Sequence, residues 1–394
     1  MQPSSAYTNS SCRIMWRPRL LRCALLLIAC SSPAFAVYGQ GVAPSPSTNA
    51  PQGVLAGPLS IQVHDDRLTL TVAKAPQVYL FGMIDADAPR RVQALIQSRK
   101  IPPGSDIYLD SPGGDMAAGF ALGRLFRAGS MATHLGAPKL PRGAGVIPRT
   151  AMCTDACAYA YFGGLYRWAP AGGDRFGLHA LDAADPHANN DGKAAQASGD
   201  AVAYLKDMGI QPAIFRSTPT APHDDTVWLS ADQMISTGLA NNGYLPITTT
   251  SELSSGAPTL VLDEIVRGTE NRITFVCRPN ELTLTSYRMV GLDRARQIVA
   301  HGIRPHFEID QQEIPTQQSV GASVSNEGVV ISGPYSPTHL ARLLTARTIG
   351  TWIVDRNNAL RYGFVIVLDP VRKTVRDYSA RCEQIWQQSG TSRP

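Results

Sequence analysis

Three short segments hold the residues of this chain whose types and spacing could do chemistry. The first is an apolar strand that closes in a glycine turn, Ile107-Tyr108-Leu109-Asp110-Ser111-Pro112-Gly113-Gly114-Asp115. The second is a run of small residues from Cys153 to Gly164, with Asp155 near its start. The third is Arg175-Phe176-Gly177-Leu178-His179, and His179 follows Asp155 by 24 residues. Nucleophilic hydrolysis needs an attacking group, a base within hydrogen-bond reach, and N–H donors aimed at the developing oxyanion. A glycine pair suits the donor role, because a side chain there would block the substrate's approach. A histidine between an apolar strand and a loop suits the base. Each also has a plainer use: the glycines could close a tight turn, and His179 could be satisfied by a backbone carbonyl at a strand end.

In this order the three segments resemble the proteolytic subunit of the Clp protease. A fourth piece, Trp228-Leu229-Ser230-Ala231-Asp232-Gln233-Met234-Ile235-Ser236-Thr237-Gly238-Leu239, extends the resemblance to roughly Val78–Leu245. The resemblance implies that Gly113 and Gly114 form the oxyanion turn, that His179 is the general base, and that Asp155 stands where the family has its nucleophilic serine. The strict equivalent of the family's aspartate falls near Pro222, and Asp224 and Asp225 are close enough to substitute. The implied catalytic set is therefore His179, Asp155 and Asp224.

Asp155 changes the chemistry that such a set can perform. An aspartate beside a histidine forms an ion pair that raises the imidazole pKa and stops it acting as a base. Loss of the nucleophile from a serine triad costs on the order of a million-fold in turnover. Thr154 is the nearest hydroxyl, but one residue along a helix turns it by about 100 degrees. Ser111 belongs to the turn itself. The first reading is thus a catalytically impaired relative that binds a peptide or protein in its groove. The alternative is an active serine-type peptidase with a rearranged nucleophile such as Thr154. A third, acid/base chemistry by Asp155 on the related crotonase fold, lacks any coenzyme A signature, and no cofactor is expected.

Positioning these residues falls to alternating strands and helices. Val78–Phe81, Ile107–Leu109 and Met131–Leu135 read as strands, with helices over Ala88–Arg99 and Asp115–Gly129, an alternation that makes parallel strands with crossover helices. Ile61–Val63 and Leu68–Val72 alternate apolar and polar residues and predict a hairpin around Asp65-Asp66-Arg67. The segment 136–149, with three prolines and three glycines, reads as an inserted loop next to the site, and 182–192 as a polar loop. Beyond Pro258 strands dominate, with helices over Leu292–His301 and Thr338–Ala346 and a loop over Ile314–Ser325. The fold class expected is α/β: a ClpP/crotonase-like repeated β-β-α superhelical core over 59–250, followed by a smaller disulfide-linked α+β domain over 258–394 of binding or assembly character.

The formal charge of +5 is concentrated at the N-terminus, where Arg13, Arg17, Arg19 and Arg22 are the only charged side chains before Val37, so the remainder carries 5 − 4 = +1. Such a balance gives no reason to expect nucleic acid. These arginines, the apolar run Cys23–Ala29 and Ala34-Phe35-Ala36 read as a secretory signal peptide over 1–36, followed by a proline- and serine-rich linker over 37–58. The expected location is the periplasm or the exterior. Leu27-Ile28-Ala29-Cys30 resembles a lipobox and offers the alternative of a lipoprotein acylated at Cys30. Four cysteines remain after the leader, and an even number in an oxidising compartment points to two disulfides. Cys277 with Cys382, and Cys153 with Cys157, are the favoured pairs. No Cys-x-x-Cys supports a metal site. The resembled family works with an ATP-driven unfoldase, which an exported protein would lack, and it assembles into rings, so a homo-oligomer is an open expectation.

Overall fold

The computed structural model describes residues 57–138, 150–178, 192–215, 226–254, 256–279, 281–315, 320–356 and 361–388. The expected signal peptide, Cys30, nearly all of the linker, and most of the loops 136–149 and 182–192 lie outside these residues. Pro51–Pro394 forms one compact unit.

The first half runs through β1 (Ser60–His64), α1 (Arg67–Ala73), β2 (Gln77–Phe81), α2 (Ala88–Gln97), β3 (Asp106–Asp110), α3 (Met116–Ala128), β4 (Ala132–Leu135), β5 (Met152–Cys153), α4 (Ala156–Phe162), β6 (Tyr166–Arg167), β7 (Arg175–Leu178), α5 (Gly192–Asp207), β8 (Val227–Leu229) and α6 (Ala231–Ser236). One sheet has the order β1-β2-β3-β4-β6, with β1 antiparallel to β2 and the remaining pairs parallel. A smaller sheet has the order β5-β7-β8. Parallel neighbours need a crossover between them, and α2 and α3 supply it. Local signals set the helix ends: Asp115 accepts the Ala118 N–H at the start of α3, and Ser230 and Gln233 form a capping box on α6.

The core of this half lies on one face of the sheet. Val78, Leu80, Ile107 and Leu109 pack with Phe126, Phe162 and Phe176 in one buried cluster. The other face carries a row of rings from His64 through Tyr79, Tyr108 and His134 to Trp168, with neighbouring centroids 4.7–5.1 Å apart. In-register pairing places Tyr79 opposite Tyr108 and Tyr108 opposite His134, so one row of the pleat collects the rings.

The hairpin predicted at the start is corrected. Leu68–Val72 lies in helix α1, because Asp66 caps it by accepting the Leu68 and Thr69 N–H groups. β1 pairs instead with β2, at the edge of the sheet. The helix buries nothing, and Leu68 and Val72 remain exposed.

The second half comprises β9 (Thr248–Ser254), β10 (Ala257–Val266), β11 (Thr269–Arg278), β12 (Glu281–Met289), α7 (Leu292–His301), β13 (Gly302–Ile309), β14 (Gln312–Glu313), β15 (Gly321–Ser325), β16 (Gly328–Pro334), α8 (Pro337–Leu343), β17 (Thr348–Asp355), β18 (Arg361–Val367) and α9 (Arg372–Gln388). Two antiparallel sheets, β15-β16-β12-β11-β10-β9 and β14-β13-β17-β18, enclose a second buried cluster that includes Phe275, Phe307 and Tyr378. Five of the elements of this half are absent from the sequence expectation: β9, β13, β14, α9, and β15 in the segment read as a loop. Helix α9 covers one end of this core with Val375, Tyr378, Ser379 and Cys382, the i, i+3, i+4, i+7 stripe of an amphipathic helix.

The β10–β11 turn reaches back to the first half. Arg267 bonds the carboxylate of Asp106 and the Gly104 carbonyl, and its guanidinium stacks over Trp168. The Leu245 N–H donates to the Ile265 carbonyl, and the Arg267 N–H to that of Gly243.

Only one of the two expected disulfides is formed. Cys153 and Cys157 are joined, while Cys277 on β11 and Cys382 on α9 are buried free thiols. Interaction with Cys277 together with burial pushes the Cys382 thiol far above its ordinary range. Disulfide exchange starts from an accessible thiolate, and this pair offers none.

Candidate functional site

The site begins where β3 ends. Asp110 and the Ser111 backbone tie the strand to β5: the Met152 N–H donates to Asp110 Oδ1 at 3.0 Å, and the Ser111 N–H donates to the Met152 carbonyl at 2.7 Å. The buried Ser111 hydroxyl accepts the Gly113 N–H and donates to the Gly113 carbonyl, closing the turn on itself. Ser111 is thus a turn residue with no hydroxyl to spare for catalysis.

Gly113 and Gly114 have φ of +118° and +132°, a region that residues with a side chain rarely enter. Space is equally restrictive. A Cβ on Gly114 would lie 2.2 Å from the Ile84 carbonyl oxygen, and one on Gly113 would lie 2.8 Å from the Asp155 Cβ and 3.0 Å from its Oδ2. The turn is pinned by the Ile84 N–H, which donates to the Gly113 carbonyl, and by the Asp115 N–H, which donates to the Ile84 carbonyl. The Gly114 N–H meets no acceptor among the described residues.

Opposite the turn, the chain passes from β5 into α4 through Asp155. Its backbone has φ 50° and ψ −123°, outside the left-handed helical well and strained for any residue with a Cβ, at a cost of about 1–3 kcal/mol. A residue held in such a conformation on a sharp strand-to-helix turn has its side chain thrust outward, which is the geometry of a nucleophile elbow. The Cys153–Cys157 disulfide, with a Cα separation of 5.2 Å, brackets this elbow. All seven residues of α4 are buried, and the small side chains of the helix let α3 approach closely: a Cβ on Gly119 would fall 2.5 Å from the Ala156 carbonyl oxygen. The elbow therefore stands on a rigid support.

Thr154 is turned away. Its hydroxyl donates to the Pro112 carbonyl at 2.9 Å and its N–H to the Ser111 carbonyl at 3.3 Å, and the residue is buried. These bonds fasten the elbow to the glycine turn and occupy the Thr154 hydroxyl.

Two solved structures are similar to this chain. One is a ClpP1 mutant from Listeria monocytogenes, 15% identical, with 44% of this chain and 94% of that one covered and a TM-score of 0.31. The other is a mutant of a membrane-bound stomatin-specific protease, 17% identical, with 42% and 75% covered and a TM-score of 0.29. No protein-family model and no curated protein matches the chain.

Of the residues singled out in the sequence, Gly113 is brought against Asp155, Gly114 follows it in the same turn, and Thr154 is bonded to the Pro112 and Ser111 carbonyls. His179, Asp224 and Asp225 lie outside the described residues. Strand β7 pairs in parallel with β5, with Cys153 opposite Phe176, and Gly177 lies against the Thr154 methyl, so the described end of β7 runs beside the elbow. Several supporting residues are not legible in the sequence. Asp174 accepts the Ala151 N–H at 2.7 Å, fixing the start of β5, and burial raises its pKa. Arg175 stacks on Trp228 at 3.7 Å and joins β7 to β8. Arg127 donates to the carbonyls of Phe162, Gly163 and Gly164, capping the far end of α4. A lone charge in a sequence does not say which carbonyls it will meet, and no short motif marks these three. Among the described residues no group of three or more His, Cys, Asp or Glu could hold a metal ion.

Proposed function

We propose that this protein is an exported, catalytically impaired relative of the Clp protease proteolytic subunit, which keeps the site architecture and uses its groove to bind a peptide or protein segment. One observation carries this reading: Asp155 sits in the strained elbow conformation directly over the oxyanion turn, so a carboxylate fills the place of a nucleophilic hydroxyl. Attack by that carboxylate on a peptide would give an anhydride, a worse acyl group to form than an ester. A carboxylate there also repels the oxyanion that the glycine turn would stabilise. Binding through the Gly114 N–H, which meets no acceptor among the described residues, survives the substitution, and turnover does not.

The active-peptidase alternative needs another hydroxyl, and Thr154 and Ser111 are both committed to the turn. Export belongs to the proposal through the leader at 1–36, and the Cys153–Cys157 pair suits an oxidising compartment. The expected location is the periplasm or the exterior, with Cys30 lipidation as the alternative. The proposed ligand is peptidic, with no nucleic acid and no ATP-driven unfoldase, and self-assembly into a homo-oligomer is part of the same reading.

The test is hydrolysis of a diverse fluorogenic peptide library by the purified protein, by Asp155→Ser and by the double variant Asp155→Ser/His179→Ala. Wild type is expected to be silent, Asp155→Ser to gain at least about a thousand-fold over it, and the double variant to lose that gain. Cleavage by wild type that His179→Ala abolishes would overturn the proposal.

A further inference from the structure

The second half of the molecule holds a cavity that the site above does not use. It has a volume of about 270 Å³ and lies between the two antiparallel sheets under helix α7. Its walls are apolar, from Ile298 of α7, Val329 and Ile331 of β16, Ile353 of β17 and Phe364 of β18. At its floor the buried hydroxyls of Ser286 and Thr351 bond each other at 2.7 Å, so they present no unmet polar group to the cavity.

Three arginines line the same space, Arg288, Arg294 and Arg361. Arg361 is neutralised by an ion pair with Glu308 and lies over the Trp352 ring. The other two are not paired in this way. Arg288 donates to the Gly363 carbonyl, Arg294 donates weakly to Gln297 and lies over Tyr362, and neither meets a carboxylate in an ion pair among the described residues. Glu264, the nearest acid to act on Arg288, is itself bonded to Asn271 and has its pKa raised by burial. Burial lowers the pKa of Arg288, as it does for a cation placed where solvent is scarce. Glu264 acts on the partly buried Arg288 through space without pairing with it, Arg294 is exposed, and an anion entering the cavity adds the close counter-charge that neither has.

We propose that this cavity binds a small amphiphile: one short alkyl chain carrying an anionic head, with the chain against Ile298, Ile331 and Phe364 and the head held by Arg288 and Arg294. At about 270 Å³ the cavity is just below the range for small-molecule sites, about 300–1,000 Å³, which favours one short chain over a two-chain lipid. The inference is independent of the reading of Asp155.

Isothermal titration calorimetry of the full-length protein with hexanoate, octanoate, octyl phosphate and octanol tests it. Octanoate is expected to bind, and hexanoate to bind about fifteen-fold more weakly, about fourfold per methylene. Octanol should bind at least tenfold more weakly than octanoate. Arg294→Gln, a change on a helix surface that leaves the fold intact, should cost octanoate about tenfold and leave octanol unchanged. Octyl phosphate matching octanoate would support the site with any anionic head, and octyl phosphate far exceeding it would support the site with a phosphate head. The proposal is overturned if octanoate shows no saturable heat at millimolar concentration, or if octanol binds equally well and Arg294→Gln changes neither ligand.

Discussion

Asp155 and Gly114 place opposite demands on the backbone. Asp155 holds a conformation that glycine adopts freely, so Asp155→Gly relieves strain that the elbow imposes. We expect it to raise stability by about 1 kcal/mol in urea unfolding, where a substitution at an unstrained helix start would lower it. Gly114 is the converse. A methyl group there meets the Ile84 carbonyl oxygen at 2.2 Å and forces a φ of +132° on alanine. Gly114→Ala should cost more than about 2 kcal/mol by the same measurement. The identity of both residues and the turn they belong to are legible in the sequence. The contact of the glycine turn with Asp155 is not, because Gly113 and Asp155, 42 positions apart, meet only once β3 and β5 are aligned.

At the scale of elements, the β5–α4 junction depends on a short covalent bracket. Closing a loop as small as Cys153–Cys157 contributes about 2 kcal/mol in the chain-entropy account. Cys153→Ser/Cys157→Ser should lose about that much and should loosen the elbow. Peptide mapping under non-reducing, denaturing conditions should recover Cys153 linked to Cys157 and should alkylate Cys277 and Cys382. Recovery of Cys277 linked to Cys382 would contradict the buried thiol pair between β11 and α9. An even number of cysteines points to a second staple, but Cys277 and Cys382 are core packing between β11 and helix α9, an element the sequence pattern does not reveal.

For the whole molecule, the contact between halves is electrostatic and ring-lined. Asp106 is buried, which alone would push its carboxyl up, but its bonds to His134 and Arg267 outweigh burial and hold it below the usual carboxylate range. A lowered folded-state pKa means stability that is present above the unfolded value, about 3.9, and lost as pH falls through the folded one. Urea titrations from pH 6 to pH 2 should therefore show a loss of stability below about pH 4 that Asp106→Asn makes smaller, the remainder belonging to other held-down carboxylates such as Asp85. At neutral pH, Arg267→Ala leaves a buried carboxylate with less compensation and should cost about 3 kcal/mol. If the two hydrophobic clusters are held in one cooperative unit chiefly by this contact, calorimetry of Arg267→Ala will resolve two transitions in place of one.

Much of the architecture is written locally. The alternation of apolar strands with amphipathic helices, the caps at Asp115 and Ser230, and the glycine turn after β3 all act over a few residues, and each sets its element without a long-range contact. Where local cues conflicted, as in Leu68–Val72, the period of two suggested a strand and the cap at Asp66 made a helix. What only the tertiary structure decided depends on distance in space: the strain at Asp155, the commitment of Thr154 to Pro112, the free thiols, the reach of Arg267 to Asp106, and a cavity whose arginines come from β12, α7 and β18. Side-chain chemistry is fixed by sequence, but the partner that completes or cancels it is fixed by which surfaces the packed core brings within a few ångströms.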